Sequence, residues 1–353
     1  MTSPREVALL RLAAQRVVGP PFSSPVGAVR WLTAMQAQNY AGALTSVALR
    51  SRSRARVDVE AALDAGDVVR SWPMRGTLHL VVADDLPWML RLLAPRVVSA
   101  SRGRRTRLGL TDAQLELARE VTVAALSAAG RLRRADLFAA WDDAGLATTG
   151  QRGVHILGFL AMTGTVVLGP THGNEQLLVL TETWIRHPRH LEHDEALGEL
   201  ALRYFRSHGP ATSADLKRWG NLVAADVRIG LDLARPQLLN LDINGTEHFM
   251  DPETPDVLHA ARAEAMGVHL LPGFDEFVLG YGDRAAQLDP AHADLVVPGG
   301  NGMFKSTVVS EGQIVGTWSK AGRGANQTIE ATPFTSFTTR VSAALPQLYA
   351  ALP

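Results

Sequence analysis

Residues 111–180, TDAQLELAREVTVAALSAAGRLRRADLFAAWDDAGLATTGQRGVHILGFLAMTGTVVLGPTHGNEQLLVL, show the building plan of this chain. Thr111 is placed to cap a helix over 112–129, with Gln114 at the capping-box position. Further helices are predicted over 134–144 and 149–162. Two short apolar strands follow, Val166–Leu168 and Leu177–Leu180. Three helices and then a strand pair is the order of a winged helix-turn-helix.

The same order recurs on both sides of this stretch. The first copy comprises helices over 5–18, 24–36 and 59–65, then strands over 68–72 and 77–82. The third comprises helices over 195–208, 213–219 and 224–233, then strands over 238–243 and 248–250 about the turn Asn244-Gly245. From about Val268 strands and turns dominate.

The predicted fold is therefore mainly α with α+β elements. It consists of three tandem winged helix-turn-helix units and a C-terminal β-rich, barrel-like α/β unit. The predicted domains are 1–108 (unit 1 with an arginine-rich connection), 109–190 (unit 2), 191–267 (unit 3) and 268–353 (the β-rich unit).

Composition limits the chemistry of the chain. With no cysteine, disulfides, thiolate zinc sites and cysteine nucleophiles are excluded. Neither a charged-then-apolar leader nor an apolar run of membrane-spanning length is present. We expect a cytoplasmic, nucleoid-associated protein that does not bind a membrane.

The formal net charge is zero, but the charges are segregated. Residues 1–150 contain 20 arginines, no lysine and 13 acidic residues, a net charge of +7. Two arginine clusters contain no acid: Arg50, Arg52, Arg54 and Arg56, then Arg91, Arg96, Arg102, Arg104, Arg105 and Arg107. Guanidinium groups bind phosphate through paired hydrogen bonds, so these clusters suit a DNA backbone. The alternative is a solvated, arginine-biased surface.

Three amide side chains lie within four positions: Gln36, Gln38 and Asn39. If the helix over 24–36 ends early and the backbone extends, Gln36 and Gln38 point to the same side. If the helix continues, they lie far apart around its axis. A polar helix end is the simplest interpretation of these residues alone.

Several segments in order resemble one bacterial family of winged-helix DNA-binding proteins, which contains the AlkZ-like and YcaQ-like DNA glycosylases. They are Gln36-Ala37-Gln38, 72–79 (WPMRGTLH), 271–284 (LPGFDEFVLGYGDR) and 301–304 (NGMF). The resemblance implies an enzyme that excises alkylated purines and unhooks interstrand crosslinks. Gln36 and Gln38 match the polar positions of the family's catalytic motif, whereas Ala37 is smaller than the aliphatic residue expected between them.

The resemblance also indicates which residues meet damaged duplex DNA. The expected DNA-binding residues are Asn39, Arg75, Thr77, His79, Arg102, Arg104, Arg105 and Arg107, and Asp275 and Arg284 are expected to line the channel. Arg75, Thr77 and His79 alternate and would share one face of a strand. The alternative for these three is a wing strand whose polar face meets solvent.

Glutamine is no strong base, but its carbonyl oxygen can hold a water in line with a sugar carbon. That suffices for an N7-alkylated purine, because its positive charge already weakens the glycosidic bond. No metal or other cofactor is implied, and neither His187, His190 and His193 nor Asp275, Glu276 and Asp283 are predicted to bind a metal.

We therefore predict a monofunctional DNA glycosylase that acts as a monomer without an obligatory protein partner. One alternative is a non-catalytic winged-helix transcriptional regulator, which should be a symmetric dimer on a palindrome. Another is a family member whose glutamines are idle.

Overall fold

The computed structural model describes residues 3–173, 175–322 and 327–353. The chain forms two compact units. The discontinuous unit combines Met1–Val59 with Leu197–Pro353, and the continuous unit is Glu60–Ala196. Helices account for 52% of the structure and strands for 19%, which confirms a helix-rich mixed fold.

The elements up to residue 110 are α1 (Pro4–Ala14), α2 (Pro25–Leu32), β1 (Met35–Gln36), α3 (Tyr40–Leu49), α4 (Arg56–Asp64), β2 (Val68–Met74), β3 (Thr77–Val82), α5 (Leu86–Ala100) and α6 (Arg102–Arg107). Next come α7 (Asp112–Ala129), α8 (Arg134–Asp143), α9 (Arg152–Met162), β4 (Val166–His172), β5 (Glu175–Leu180), α10 (Thr181–Trp184), α11 (His193–His208), α12 (Ser213–Gly220) and α13 (Ala224–Ala234). The remaining elements are β6 (Leu239–Ile243), β7 (Thr246–Met250), α14 (Thr254–Ala260), α15 (Arg262–Ala265), β8 (Val268–Leu271), α16 (Glu276–Leu279), α17 (Ala293–Val296), β9 (Ser306–Ser310), β10 (Gln313–Ala321), β11 (Thr328–Pro333) and α18 (Thr339–Ala350).

In the continuous unit, α7, α8 and α9 precede the hairpin of β4 and β5, in the predicted order. The predicted capping box forms: Thr111 Oγ1 accepts from Gln114 N at 3.2 Å, and Gln114 Oε1 accepts from Thr111 N at 3.1 Å. The strands of this unit are ordered β3-β2-β4-β5, with antiparallel pairs. Apolar side chains of the helices and strands, Trp141 and Ile156 among them, form one buried core.

In the discontinuous unit, α11, α12 and α13 precede the hairpin of β6 and β7. Asn244 and Gly245 form its two-residue turn, with φ of 54° and 79°, values that asparagine and glycine tolerate better than other residues. The order of elements again matches the sequence prediction. The number of winged helix-turn-helix units stays a prediction.

The C-terminal β-rich unit was expected to be barrel-like, and this expectation was wrong. Its strands form an open antiparallel sheet in the order β11-β10-β9-β8, and no pairing within the described residues closes it. Helix α18 packs Val341 and Leu345 against Val308 and Trp318 of this sheet. With one apolar face covered by a helix, the sheet forms a core without closing on itself.

Helices α3 and α5 were not predicted, for a different reason in each case. Residues 43–48 of α3 are all buried, so no polar face marks a helical period. Helix α5 contains Pro95, an interior residue that normally argues against a helix. Hydrophobic periodicity identifies helices that have one solvent-exposed face, and residues 43–48 of α3 have no such face.

Candidate active site and DNA-contacting residues

The structure decides between the two conformations considered for the glutamine segment. Helix α2 ends at Leu32, because Thr33 adopts φ of 68°. Met35 and Gln36 form the short strand β1, and the next helix begins only at Tyr40. Gln36 to Asn39 are therefore not helical, and the early end of the helix is the alternative that the structure supports.

Burial changes along this segment from residue to residue. Ala37 is completely buried and Gln36 is 9% exposed, whereas Gln38 and Asn39 are exposed. A full-size aliphatic side chain at 37 would need more space than the Ala37 methyl occupies. The small central residue thus belongs to a tightly packed site.

Asn39 caps helix α3, since its Oδ1 accepts a hydrogen bond from Gly42 N at 3.0 Å. The same residue borders a cleft of about 1030 Å³ in the discontinuous unit. Three basic residues, Arg56, Lys305 and Lys320, and one acidic residue, Glu330, also line this cleft. The cap fixes where the glutamine segment ends, and binding of DNA by Asn39 stays a prediction.

Asp275 was expected to line a channel, and the structure corrects this. Its side chain is 1% exposed and accepts from Arg50 Nη1 and Nη2 at 2.8 and 3.0 Å. Ser46 Oγ and Phe277 N also donate to it, at 2.5 and 3.0 Å. Burial by itself raises the pKa of Asp275, but Arg50 and these hydrogen bonds outweigh it and hold the pKa below its ordinary 3.8.

Arg50 was counted in a phosphate-binding cluster, and this too is corrected. The guanidinium is fully buried, and besides Asp275 it contacts Gln15 O at 2.8 Å. A buried, paired arginine cannot reach a phosphate. The pair joins α3 to the segment before α16, so its role is structural.

Arg284 lies where a contact with a ligand is sterically open. It lines a cavity of about 420 Å³, and its guanidinium lies over the Phe304 ring, 5.3 Å from the centroid. Its Nε donates to Val278 O at 2.6 Å. Burial, and then the charge of Arg218, lowers the pKa of Arg284 to about 10, so the side chain is cationic at pH 7. The channel-lining role of Arg284 stays a prediction.

Arg75, Thr77 and His79 do not share one strand face, because Arg75 lies in the turn between β2 and β3 with φ of 57°. His79 Nδ1 donates to Thr77 O at 2.8 Å, which leaves Nε2 to accept from Arg75 Nη2 at 3.0 Å. Burial, and then the charge of Arg75, holds the pKa of His79 well below 6.5. A neutral His79 thus orients the Arg75 guanidinium.

The arginines at 102–107 form helix α6 and fall into two kinds. Arg102 and Arg107 are exposed, and Arg104 donates to Gln151 Oε1 at 2.6 Å. Arg105 is buried and donates to Val98 O at 2.9 Å and to Ser101 Oγ at 2.5 Å. The structure therefore removes Arg105 from the set of phosphate-binding candidates.

Sequence reasoning did not identify Glu276 as part of the site. Its Oε1 accepts from Gln36 N at 3.3 Å, although the two residues are 240 positions apart. Its position inside the quoted segment 271–284, next to Asp275, was the one signal that could have pointed to it. In the described residues there is no group of three His, Cys, Asp or Glu side chains that could hold a metal ion. Nor does that part of the chain contain a helix both long and apolar enough to span a membrane.

Comparisons with known proteins agree with this architecture. The family model described as DNA glycosylase AlkZ-like matches residues 29–352. An interstrand DNA cross-link repair glycosylase of Streptomyces sahachiroi is 28% identical over 332 residues, covering 89% of this chain and 85% of that protein. The solved structure of Streptomyces sahachiroi DNA glycosylase AlkZ superposes with a TM-score of 0.81 at 26% identity, covering 99% of this chain and 95% of that one.

The fold and the matched family define the class of protein: this is a DNA glycosylase, a hydrolase acting on N-glycosyl bonds. More narrowly, the chain belongs to the AlkZ-like DNA glycosylase family.

Proposed function

We propose that this enzyme hydrolyses the N-glycosidic bond of N7-alkylated purines in duplex DNA, including those joined in interstrand crosslinks. The observation that carries the proposal is the non-helical segment in which a nearly buried Gln36 and an exposed Gln38 flank a buried Ala37. The similarity to an interstrand DNA cross-link repair glycosylase supports the choice of lesion. No observation favours a transcriptional regulator.

The chemistry follows from the lesion. When the bond between C1′ and N9 breaks, its electron pair moves into the purine and neutralises the positive charge left by alkylation at N7. The departing base therefore needs no proton. The amide oxygens of Gln36 and Gln38 accept hydrogen bonds from one water and hold it against C1′. That water forms the new C–O bond and releases its proton to solvent.

In this mechanism water, and not a protein amine, attacks the sugar, and the enzyme is therefore monofunctional. The mechanism also restricts the enzyme to bases that are already activated, since two neutral amides supply no general acid. Arg75, oriented by His79, and the exposed arginines of α6 are proposed to bind the phosphates of the damaged duplex.

Three further features belong to the proposal. The DNA-binding framework is three winged helix-turn-helix units, over 1–108, 109–190 and 191–267, followed by the unit over 268–353. The enzyme acts on the nucleoid in the cytoplasm, as the absence of cysteine is compatible with a reducing compartment. It needs no metal and no protein partner.

The test is base release from duplexes that carry N7-methylguanine or a nitrogen-mustard crosslink, with abasic sites revealed by alkali. We expect the wild-type protein to release base from both. The Gln36→Ala/Gln38→Ala variant should bind the same duplex with nearly unchanged affinity but release no base. Undiminished release by that variant would overturn the assignment of the glutamines, and no release by wild type would overturn the choice of lesion.

A further inference from the structure

Beneath the glutamine segment lies a buried carboxylate whose two oxygens have different tasks. Glu276 Oε1 accepts from Gln36 N at 3.3 Å, and Oε2 accepts from Trp219 Nε1 at 3.0 Å. His208 Nε2 also lies 3.3 Å from Oε2. The Glu276 side chain is 1% exposed, so these contacts replace its hydration.

The partners of Oε2 are themselves held in place. The His208 ring stacks on Tyr204, with centroids 4.7 Å apart, and packs against Trp219 at 5.4 Å. Tyr281 donates its hydroxyl hydrogen to His208 O at 2.9 Å. Because each of these side chains is buried, Glu276 sits on a rigid support built by α11 and α12.

The segment that Glu276 holds has little helical support of its own. Helix α2 has already ended at Leu32, and Gln36 belongs to a strand of only two residues. Fixing the main-chain nitrogen of Gln36 also limits the position of Gln38, two residues further along. Small displacements of groups that orient a reactant cost much of the rate.

We propose that Glu276 is a positioning residue, which holds the Gln36–Gln38 segment in its reactive geometry through the Gln36 main-chain N–H. This inference rests on the proposed function of the two glutamines. It requires a carboxylate at 276 in particular, since donors approach both oxygens and an amide offers only one acceptor.

The experiment is single-turnover base release by Glu276→Gln, an isosteric change. The amide nitrogen that it introduces must face either the Gln36 N–H or the Trp219 N–H, and both are donors. We expect the release rate to fall at least about tenfold. The dissociation constant for the damaged duplex should stay within about twofold of wild type, since the Glu276 side chain is buried and exposes almost no surface with which it could contact DNA.

Rescue separates positioning from a general loss of packing. In Trp219→Phe the indole N–H is gone, so in the double variant E276Q/W219F the amide nitrogen introduced at position 276 meets only His208 Nε2. That nitrogen accepts from the amide when the ring proton lies on Nδ1, which faces Ser207 Oγ. The amide oxygen can then turn to Gln36 N. The double variant should release base within about threefold of the rate of W219F alone, the signature of coupled residues. If it loses the same factor that E276Q loses from wild type, the two sites act independently and the inference is wrong.

Trp141→Phe is the matched control in the continuous unit. It removes a buried indole hydrogen bond to Thr122 Oγ1 of 3.0 Å, like that of Trp219 in length, and should keep the wild-type rate within about twofold. A wild-type rate in E276Q would overturn the inference. If E276Q cannot be purified, Glu276→Asp replaces it, because it keeps both oxygens but withdraws them from Gln36 N by one methylene, and a wild-type release rate in that variant would likewise overturn the inference. Failure of the proposed function can be told apart from failure of this inference. The first would appear as missing base release by wild type or undiminished release by Gln36→Ala/Gln38→Ala, and neither result depends on the variants at positions 276 and 219.

Discussion

At the scale of single residues, a buried ion pair between Arg50 and Asp275 joins two distant segments of the discontinuous unit. Both side chains are fully enclosed, with Nη1 and Oδ2 2.8 Å apart. The residues are 225 positions apart. Such a pair is expensive to break, because the remaining charge stays buried without its partner. The pair therefore fixes α3 against the segment that carries Glu276.

Asp275→Asn should destabilise the protein by about 3 kcal/mol at pH 7, since it leaves the Arg50 charge uncompensated. The folded pKa of Asp275 lies below 3.8, so its contribution is present above that pH and is lost as the pH falls further. In urea unfolding between pH 3 and 7, the free energy of unfolding should fall less steeply towards acid pH in the variant than in wild type.

Glu247→Gln is the control for this prediction, because Glu247 is paired with Arg235 at 2.9 Å on the surface. It should change stability little at any pH, as exposed pairs contribute little. If the free energy of unfolding fell equally steeply towards acid pH in wild type and Asp275→Asn, protonation of Asp275 would not be linked to unfolding.

At the scale of elements, helix α6 carries both exposed and buried arginines, which can be compared within one helix. Arg102 and Arg107 are exposed, whereas Arg105 is buried and bonded to the main chain of α5. Removing a phosphate contact lowers the salt dependence of binding, and removing a structural arginine does not.

Arg102→Ala and Arg107→Ala should each reduce the slope of log affinity against log salt concentration by about 0.9. Arg105→Ala should leave the slope unchanged and lower the thermal midpoint instead. Fluorescence anisotropy with an undamaged duplex between 50 and 200 mM salt, about the range over which such contacts dominate, measures the slopes. If all three variants kept the wild-type slope, α6 would be excluded from the DNA interface.

Helix α12 carries Trp219, and a capping box begins it. Thr212 Oγ1 accepts from Asp215 N at 3.1 Å, and Asp215 Oδ2 accepts from Thr212 N at 3.0 Å. Thr212→Ala should cost about 1 kcal/mol of stability, whereas Thr212→Ser keeps the hydroxyl and should cost much less. Denaturant midpoints compare them, and an equal loss in both would point to packing of the Thr212 methyl group instead of the cap.

At the scale of the whole molecule, the chain leaves the discontinuous unit after Val59 and returns to it at Leu197. Segments far apart in sequence therefore build one core, as when α1 packs with residues of α16 and β9. Each chain carries both its glutamine segment and its arginine helix, so nothing in the proposed reaction requires a second copy.

We expect the protein to sediment as a monomer of 38.0 kDa. On a short damaged duplex we expect one protein molecule to bind each DNA molecule. A regulator of the winged-helix type would instead be a symmetric dimer on a palindrome. A stable dimer of about twice the chain mass, with a preference for palindromic DNA, would contradict the monomeric enzyme.

The sequence alone determined the local elements whose signals lie within a few residues. The capping box at Thr111, the turn at Asn244-Gly245 and the helices with one wet face were predicted because neighbouring residues decide them. The ordered motifs from Gln36 to Phe304 also indicated the family.

Only the tertiary structure decided which polar residues are buried and with whom. Arg50 reads in the sequence like its neighbours Arg52 and Arg54, yet it alone of the three is enclosed, by a carboxylate 225 positions away. Glu276 likewise meets Gln36 only after the chain has folded back on itself. A residue's burial depends on which distant segments pack around it, and local sequence does not encode that proximity.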